Sequence, residues 1–405
     1  MNKHYDIAVI GGGASGLFFT ALTARMHTNL KILVIEKNQR VGKKLMVTGN
    51  GRCNLTNIYT NESNFHGSFA PLTDKILSQC PPQKVLDLFL GMGLVTKTDD
   101  FGRVYPKSNQ ASTVLDVLRF NCEKENVEFL CENKVSDIIK SKDIFKITTD
   151  KTVITADRIV FASGGAAAPK AGGDKSGYDL LKKLGHNIHK PSPALCPVNV
   201  KSDHIKSLKG IRVQGKVSLM TEGKETYTEE GEIQFTETSL SGICVFDLSQ
   251  YVDKRYKQVL KINLMPEMNF NEIIHLLKNN RNIFGKLEAD NLMTGIFHKR
   301  ISQAILKIAG IKLNKNVSEI NDKEIKSIAA AISGFEFEVS GVGDFSNAQV
   351  TKGGVDGNEI NPHTMESTKT KGLYIIGEVI DCNGDCGGYN LQFAFATGYL
   401  AAVGL

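Results

Sequence analysis

The stretch YDIAVIGGGASGLFFTALTARM, residues 5–26, leaves few folds open. An unbroken apolar run up to Ile10 reads as a strand buried on both faces, as in parallel sheets. Glycines at 11, 13 and 16 follow at once, and the apolar residues after them are spaced as a helix. KILVIE, residues 31–36, is a second buried strand. Strand, glycine turn, helix and strand make one βαβ unit. In such a unit Gly11 permits the tight turn, Gly13 lets backbone approach a pyrophosphate at the helix N-terminus, and Gly16 lets helix and strand pack closely. Glu36 ends the second strand about twenty residues beyond Gly16, where an acid accepts a ribose hydroxyl and repels a 2′-phosphate. The expected bound dinucleotide is FAD or NAD, not NADP.

Residues 373–402 choose between the two. LYIIG, residues 373–377, is another buried strand, so Gly377 and Glu378 stand at the edge where open parallel sheets bind ligands. In GEVIDCNGDCGGYNLQFAFATGYLAA, Gly387 and Gly388 open a helix whose free N–H groups face the same crevice. A helix N-terminus there stabilises the negative charge that a flavin's pyrimidine edge gains on reduction. The polar loop 40–57, carrying Lys43, Lys44, Asn50, Arg52 and Asn54, suits a cofactor longer than NAD, with a ring to contact. The early segment is therefore expected to hold the AMP half of FAD, and the late segment its ribityl chain and ring.

The 405 residues allow two or three domains. Short strands are expected at 127–131, 134–140, 144–149, 152–155 and 157–162, with helices at 83–91 and 110–125. PSPALCP, residues 191–197, reads as a boundary. After it, 211–236 alternates as antiparallel strands of a small barrel or sandwich, 269–333 is mostly helical, and 334–340 alternates again. The expected fold is α/β: a Rossmann-type domain of 1–190 and 341–405, an inserted β-barrel-like domain of 191–250 and 334–340, and an inserted helical domain of 251–333.

Net charge is +6, and residues 251–330 carry fourteen Lys/Arg against eight Asp/Glu. A solvated helical face explains this surplus. Little aromatic interleaving and no RNA motif argue against a nucleic-acid partner. No apolar run approaches membrane-spanning length. MNKHYDIAVIGGG shows no basic-then-apolar leader, and the eight cysteines are scattered, so a reducing cytoplasm with free thiols is expected. Cys382 and Cys386 have a spacing that a redox pair can use, but GVGDFS at 341–346 lacks the third glycine of a second nucleotide fingerprint. No metal spacing and no G-x-S-x-G motif occur. No residue is singled out as catalytic. Tyr389 and Arg52 are candidates for facing a substrate, and His363 is a candidate proton donor.

IGGGASGL, TGNGRCNLTN, GGVDGNEINPHTMES and the 377–402 segment together resemble the bacterial BaiN-type flavoproteins. These are also described as YhiN-like or aminoacetone-oxidase-like NAD(P)/FAD-dependent oxidoreductases. The resemblance spans the chain. It implies FAD contacts at Gly11, Gly13, Ser15, Gly16, Glu36, Lys37, Gly49, Asn50, Arg52, Ser163, Gly164, Gly377, Glu378, Gly388, Asn390, Leu391 and Gln392. Ser163 stands where many relatives carry threonine, which keeps the hydroxyl. With no second nucleotide fold, NAD(P)H is expected as a transient donor, and the resemblance suggests a small-molecule substrate, such as a steroid-like acid with a carbonyl-conjugated C=C bond. Amine oxidation with O2, as with aminoacetone, is the alternative, and a flavin-bearing RNA-modifying protein is another.

Overall fold

Parallel strands that end in step create an edge where a ligand can lie. The computed structural model describes residues 3–124 and 127–405. In it, His4–Ile10 is flanked by Ile32–Ile35 and Val153–Phe161, and Leu373–Ile375 pairs with the far side of Val153–Phe161. The register sets Ile35 and Phe161 beside Ile10, and Ile375 beside Phe161. Gly11, Glu36, Ala162 and Ile376 therefore leave the sheet along one edge. This register brings the early and late segments of the sequence together. Glu128–Leu130 extends the sheet in parallel beside Ile32–Ile35.

The two strands expected at 152–155 and 157–162 are one strand, Val153–Phe161. Its first half pairs antiparallel with Ile144–Thr149, and its second half continues the parallel sheet. Ala156, the residue between the two expected strands, pairs with Phe145 and with Tyr5, so the strand runs through it.

The helix Ala14–Met26 packs on the last helix, Tyr389–Val403, through a cluster of rings. Phe18 lies 4.9 Å from Phe89 and 5.0 Å from Phe395, centroid to centroid, and all three are fully buried. Truncating one such ring to alanine costs about 3–5 kcal/mol, so the helices that frame the edge are firmly set.

The chain divides into two compact units, Met1–Pro193 with Phe345–Leu405, and Ala194–Asp344. The second holds a closed barrel in the order Val198–Lys201, Ser239–Ser241, Lys224–Phe235, Arg212–Thr221, Gln258–Asn263 and Phe335–Val342. Phe235, Phe335 and Phe337 fill its core. Gln258–Asn263 falls within the range expected to be helical, yet its side chains alternate buried and half-buried as a strand's do. Helices Phe270–Phe284, Lys299–Ile308 and Asp322–Ser333 belong to the same unit. Several of its cations are paired locally: Lys278 and Arg281 with Asp322, Lys299 with Asp290, and Lys315 with Glu324. Among the described residues no helix is long and apolar enough to cross a membrane.

One buried polar network in the first unit fixes the loops leading to the last strand. His186 Nδ1 lies 3.0 Å from Glu359 Oε2, and its Nε2 lies 2.9 Å from Ser367 Oγ. The order Ser–His–Glu is that of a hydrolase triad. Here Ser367 Oγ already accepts from the N–H groups of Lys369 and Thr370, and all three side chains are buried, so the network is structural. Burial pulls the His186 pKa down, against the pull of Glu359. Its neutral form is thus part of the fold. The stability it contributes is present above the unfolded pKa of about 6.5 and is lost as pH falls below that value. The apparent Tm of the wild type is expected to begin falling as pH drops below about 6.5, and that early part of the fall should vanish in His186→Gln.

Candidate functional site

The three glycines of the first turn differ in what surrounds them. Gly11 has φ +108°, and a Cβ there would stand 2.3 Å from the Ala162 carbonyl oxygen. At Gly16 a Cβ would stand 2.1 Å from the Gly11 oxygen. Around Gly13 no atom lies within 4 Å of a Cβ position, and its backbone is ordinary extended chain. The first two glycines let chain segments touch, whereas the third opens onto a crevice. The Leu17 N–H is the first in this helix to bond back, to Gly13 O at 2.9 Å, and no acid occupies the first turn. The preceding N–H groups are thus available to an anion. Glu36 is buried, and its carboxylate accepts from the Gly12 N–H at 3.0 Å and the Asn38 N–H at 2.8 Å. Those bonds aim it at the crevice and leave it lone pairs for a ribose.

Charged pairs form the side walls. Lys37 and Lys134 meet Asp174 at 2.8 and 3.3 Å. Burial would raise the Asp174 carboxyl, but hydrogen bonds from Lys37 and Ser176 outweigh it and hold the group well below the usual carboxylate range. Lys44 Nζ reaches both oxygens of Glu378, at 2.9 and 2.6 Å, and the Thr351 N–H donates to Glu378 Oε1 at 2.9 Å. This pair clips the loop 40–57 to the end of the last sheet strand. Lys44→Met leaves a half-buried carboxylate without its cation, at a cost of about 1–2 kcal/mol. FAD retention, measured by equilibrium dialysis, is expected to weaken about tenfold.

The far end is built on the last helix. Gly388 has φ +110°, and a Cβ there would stand 2.6 Å from the Thr56 carbonyl, so only glycine seats the helix start against that strand. Asn390 accepts from the Gly384 N–H and donates to its carbonyl oxygen, both at 2.8 Å. The Tyr389 ring lies against Gly387, where a Cβ would be 2.8 Å from Cε2. Burial pushes the Cys53 thiol up to about 12 and the Cys382 thiol well above its ordinary value, so both are neutral thiols.

Gly11, Gly13, Ser15, Glu36, Lys37, Ser163, Gly164, Glu378, Asn390 and Leu391 line one crevice. Gly16 and Gly377 support it from behind, the Gly377 N–H donating to Thr397 Oγ1 at 3.0 Å. Gly49, Asn50 and Arg52 stand on the loop rather than the wall, and the Arg52 guanidinium lies 4.7 Å from the Tyr105 ring centroid. Gln392 does not reach the crevice. It is fully buried, accepting from Thr56 Oγ1 at 2.7 Å and donating to Cys80 O at 2.9 Å. His363 is outside as well, its ring 3.1 Å from the Gln79 amide. Asn38, Thr48, Asp174 and Gln349 line the crevice without having been singled out in the sequence. Asp174 lies in the glycine-rich stretch after Phe161, and that stretch was its available signal.

Over residues 5–404 the chain matches the model of a family described as HI0933-like protein Rossmann domain. It is 34% identical over 400 residues to the 3-dehydro-bile acid delta(4,6)-reductase of Clostridium scindens, covering 98% of this chain and 97% of that one. It is 26% identical over 403 residues to the ribosomal RNA dihydrouridine synthase of Escherichia coli, covering 100% and 98%. FrdA of Escherichia coli quinol fumarate reductase superposes with a TM-score of 0.50 at 15% identity, over 99% of this chain and 70% of that one, a likeness of fold.

Proposed function

Because the chain belongs to the HI0933-like family and is an FAD-dependent oxidoreductase, we propose that it reduces a carbon–carbon double bond conjugated with a carbonyl. The observation that carries this reading is the near full-length likeness to a reductase of a 3-dehydro-bile acid. The crevice residues fit the cofactor: an open Gly13 at a helix N-terminus, a buried Glu36, and Asn390 and Leu391 in the first turn of a second helix. When bound, FAD supplies the hydride. The substrate takes it at the carbon β to the carbonyl, the double-bond electron pair moves to the carbonyl oxygen, and a proton reaches the α carbon. The proton donor is proposed to be the Tyr389 phenol, at the start of the last helix. NAD(P)H is the proposed transient source of the two electrons, since a second glycine-rich βαβ turn is not found among the described residues.

A second reading keeps the reaction and changes the substrate. The ring double bond of uracil is likewise conjugated with a carbonyl, and one relative is a ribosomal RNA dihydrouridine synthase along its whole length. Purified holoprotein, NADH or NADPH and either a dienone acid or an unmodified rRNA fragment, incubated without oxygen, test both readings. The expected product is heavier by two hydrogens per double bond. Turnover of primary amines with O2, and no gain of hydrogen by either substrate, would overturn them in favour of an amine oxidase.

A further inference from the structure

Tyr59 and Phe101 are large rings left in solvent, 64% and 71% exposed. Both are held in place. The Tyr59 N–H donates to Asn57 Oδ1 at 3.0 Å, and its ring lies on Gly102, where a Cβ would be 2.5 Å away. The Phe101 N–H donates to Asp99 Oδ1 at 3.0 Å, and the Arg103 guanidinium stands 4.8 Å from its ring centroid. The same Asn57 side chain donates to Phe101 O and to Gly387 O, each at 3.3 Å. One amide thus ties the two rings to the turn that opens the last helix, and Asn390 and Leu391 of that helix line the cofactor crevice. Further cations lie along the same small sheet: the Arg52 guanidinium stands over the Tyr105 ring, two residues beyond Arg103, and exposed Lys97 is opposite Tyr105. Asp99 is taken up by Arg103 at 2.8 Å, which leaves exposed Asp100 as the nearby counter-charge.

Fixed aromatic faces with guanidinium groups beside them are what unpaired bases stack on. A crevice that admits one reacting base also requires seats for its neighbours, because a base in a strand arrives with flanking nucleotides. We propose that Tyr59 and Phe101 form a shelf on which bases of single-stranded RNA stack beside the crevice, with Arg52 and Lys97 meeting the backbone phosphates. The proposal rests on the uracil reading for its reaction, but its binding claim is tested separately.

The probe is a fluorescein-labelled oligouridylate of about eight nucleotides, followed by anisotropy with the FAD-loaded protein. The wild type is expected to bind, more weakly as salt rises. Tyr59→Ala and Phe101→Ala should each weaken binding roughly tenfold, and the pair about a hundredfold, with FAD content and turnover of a dienone acid unchanged. Tyr59→Leu with Phe101→Leu keeps apolar bulk but removes the stacking faces, and should show the same loss. Unchanged affinity in either double variant, or no binding by the wild type at low salt, overturns the shelf. If the oligonucleotide binds through the rings and gains no hydrogen, the shelf stands and the uracil reading falls.

Discussion

Gly13→Val yields a folded protein without its flavin. The backbone at Gly13 is one that any residue adopts, and the space where a side chain would project is empty of protein. Valine therefore strains nothing and costs only the difference in helix capping, about 1 kcal/mol. Its methyl groups enter the space where the pyrophosphate must approach the helix. FAD affinity is expected to fall at least about a hundredfold, roughly 2.7 kcal/mol, with the circular dichroism spectrum preserved. Gly16→Val behaves differently, because a Cβ there would meet the Gly11 oxygen at 2.1 Å. That chain loses fold and flavin together. Comparing the two separates a cofactor seat from a packing glycine.

Tyr389→Phe splits the two half-reactions. The phenylalanine ring still lies against Gly387, so the helix start and the FAD content are retained. What is removed is the proposed proton source, and general acid catalysis contributes about 10²–10⁴-fold. In stopped flow without oxygen, flavin reduction by NAD(P)H is expected at the wild-type rate. Reoxidation by the unsaturated substrate should slow at least a hundredfold. Equal slowing of both steps would mean that Tyr389 only holds the helix start. Unchanged reoxidation would place the proton donor elsewhere.

The geometry of the first turn was legible because it is local. Gly11, Gly13, Gly16 and Glu36 lie within one βαβ unit, and their spacing encodes how they are placed. The barrel was legible as alternation in 211–236, but its strand Gln258–Asn263 was hidden, because six alternating residues before a long helical run carry little signal. Val153–Phe161 was read as two strands parted at Ala156, and only its pairing with Phe145 on one side and Tyr5 on the other shows that the strand is continuous. Pairings across the sequence were illegible for a different reason. Lys44 and Glu378 are 334 residues apart, and only the sheet register places them together. Gln392 was carried over from the family resemblance. Its side chain bonds to Thr56 and Cys80, a long-range pairing that the sequence does not show. His363 looked available as a loop residue, and the fold carries that loop to Gln79.

Early and late segments of the chain are proposed to grip one extended FAD, AMP half against Glu36 and ring against the last helix. Titrating flavin-free protein with FAD and with FMN tests it directly, because FMN lacks the AMP half. One FAD per chain is expected, with FMN affinity weaker by at least about a hundredfold. FMN binding as tight as FAD would contradict it.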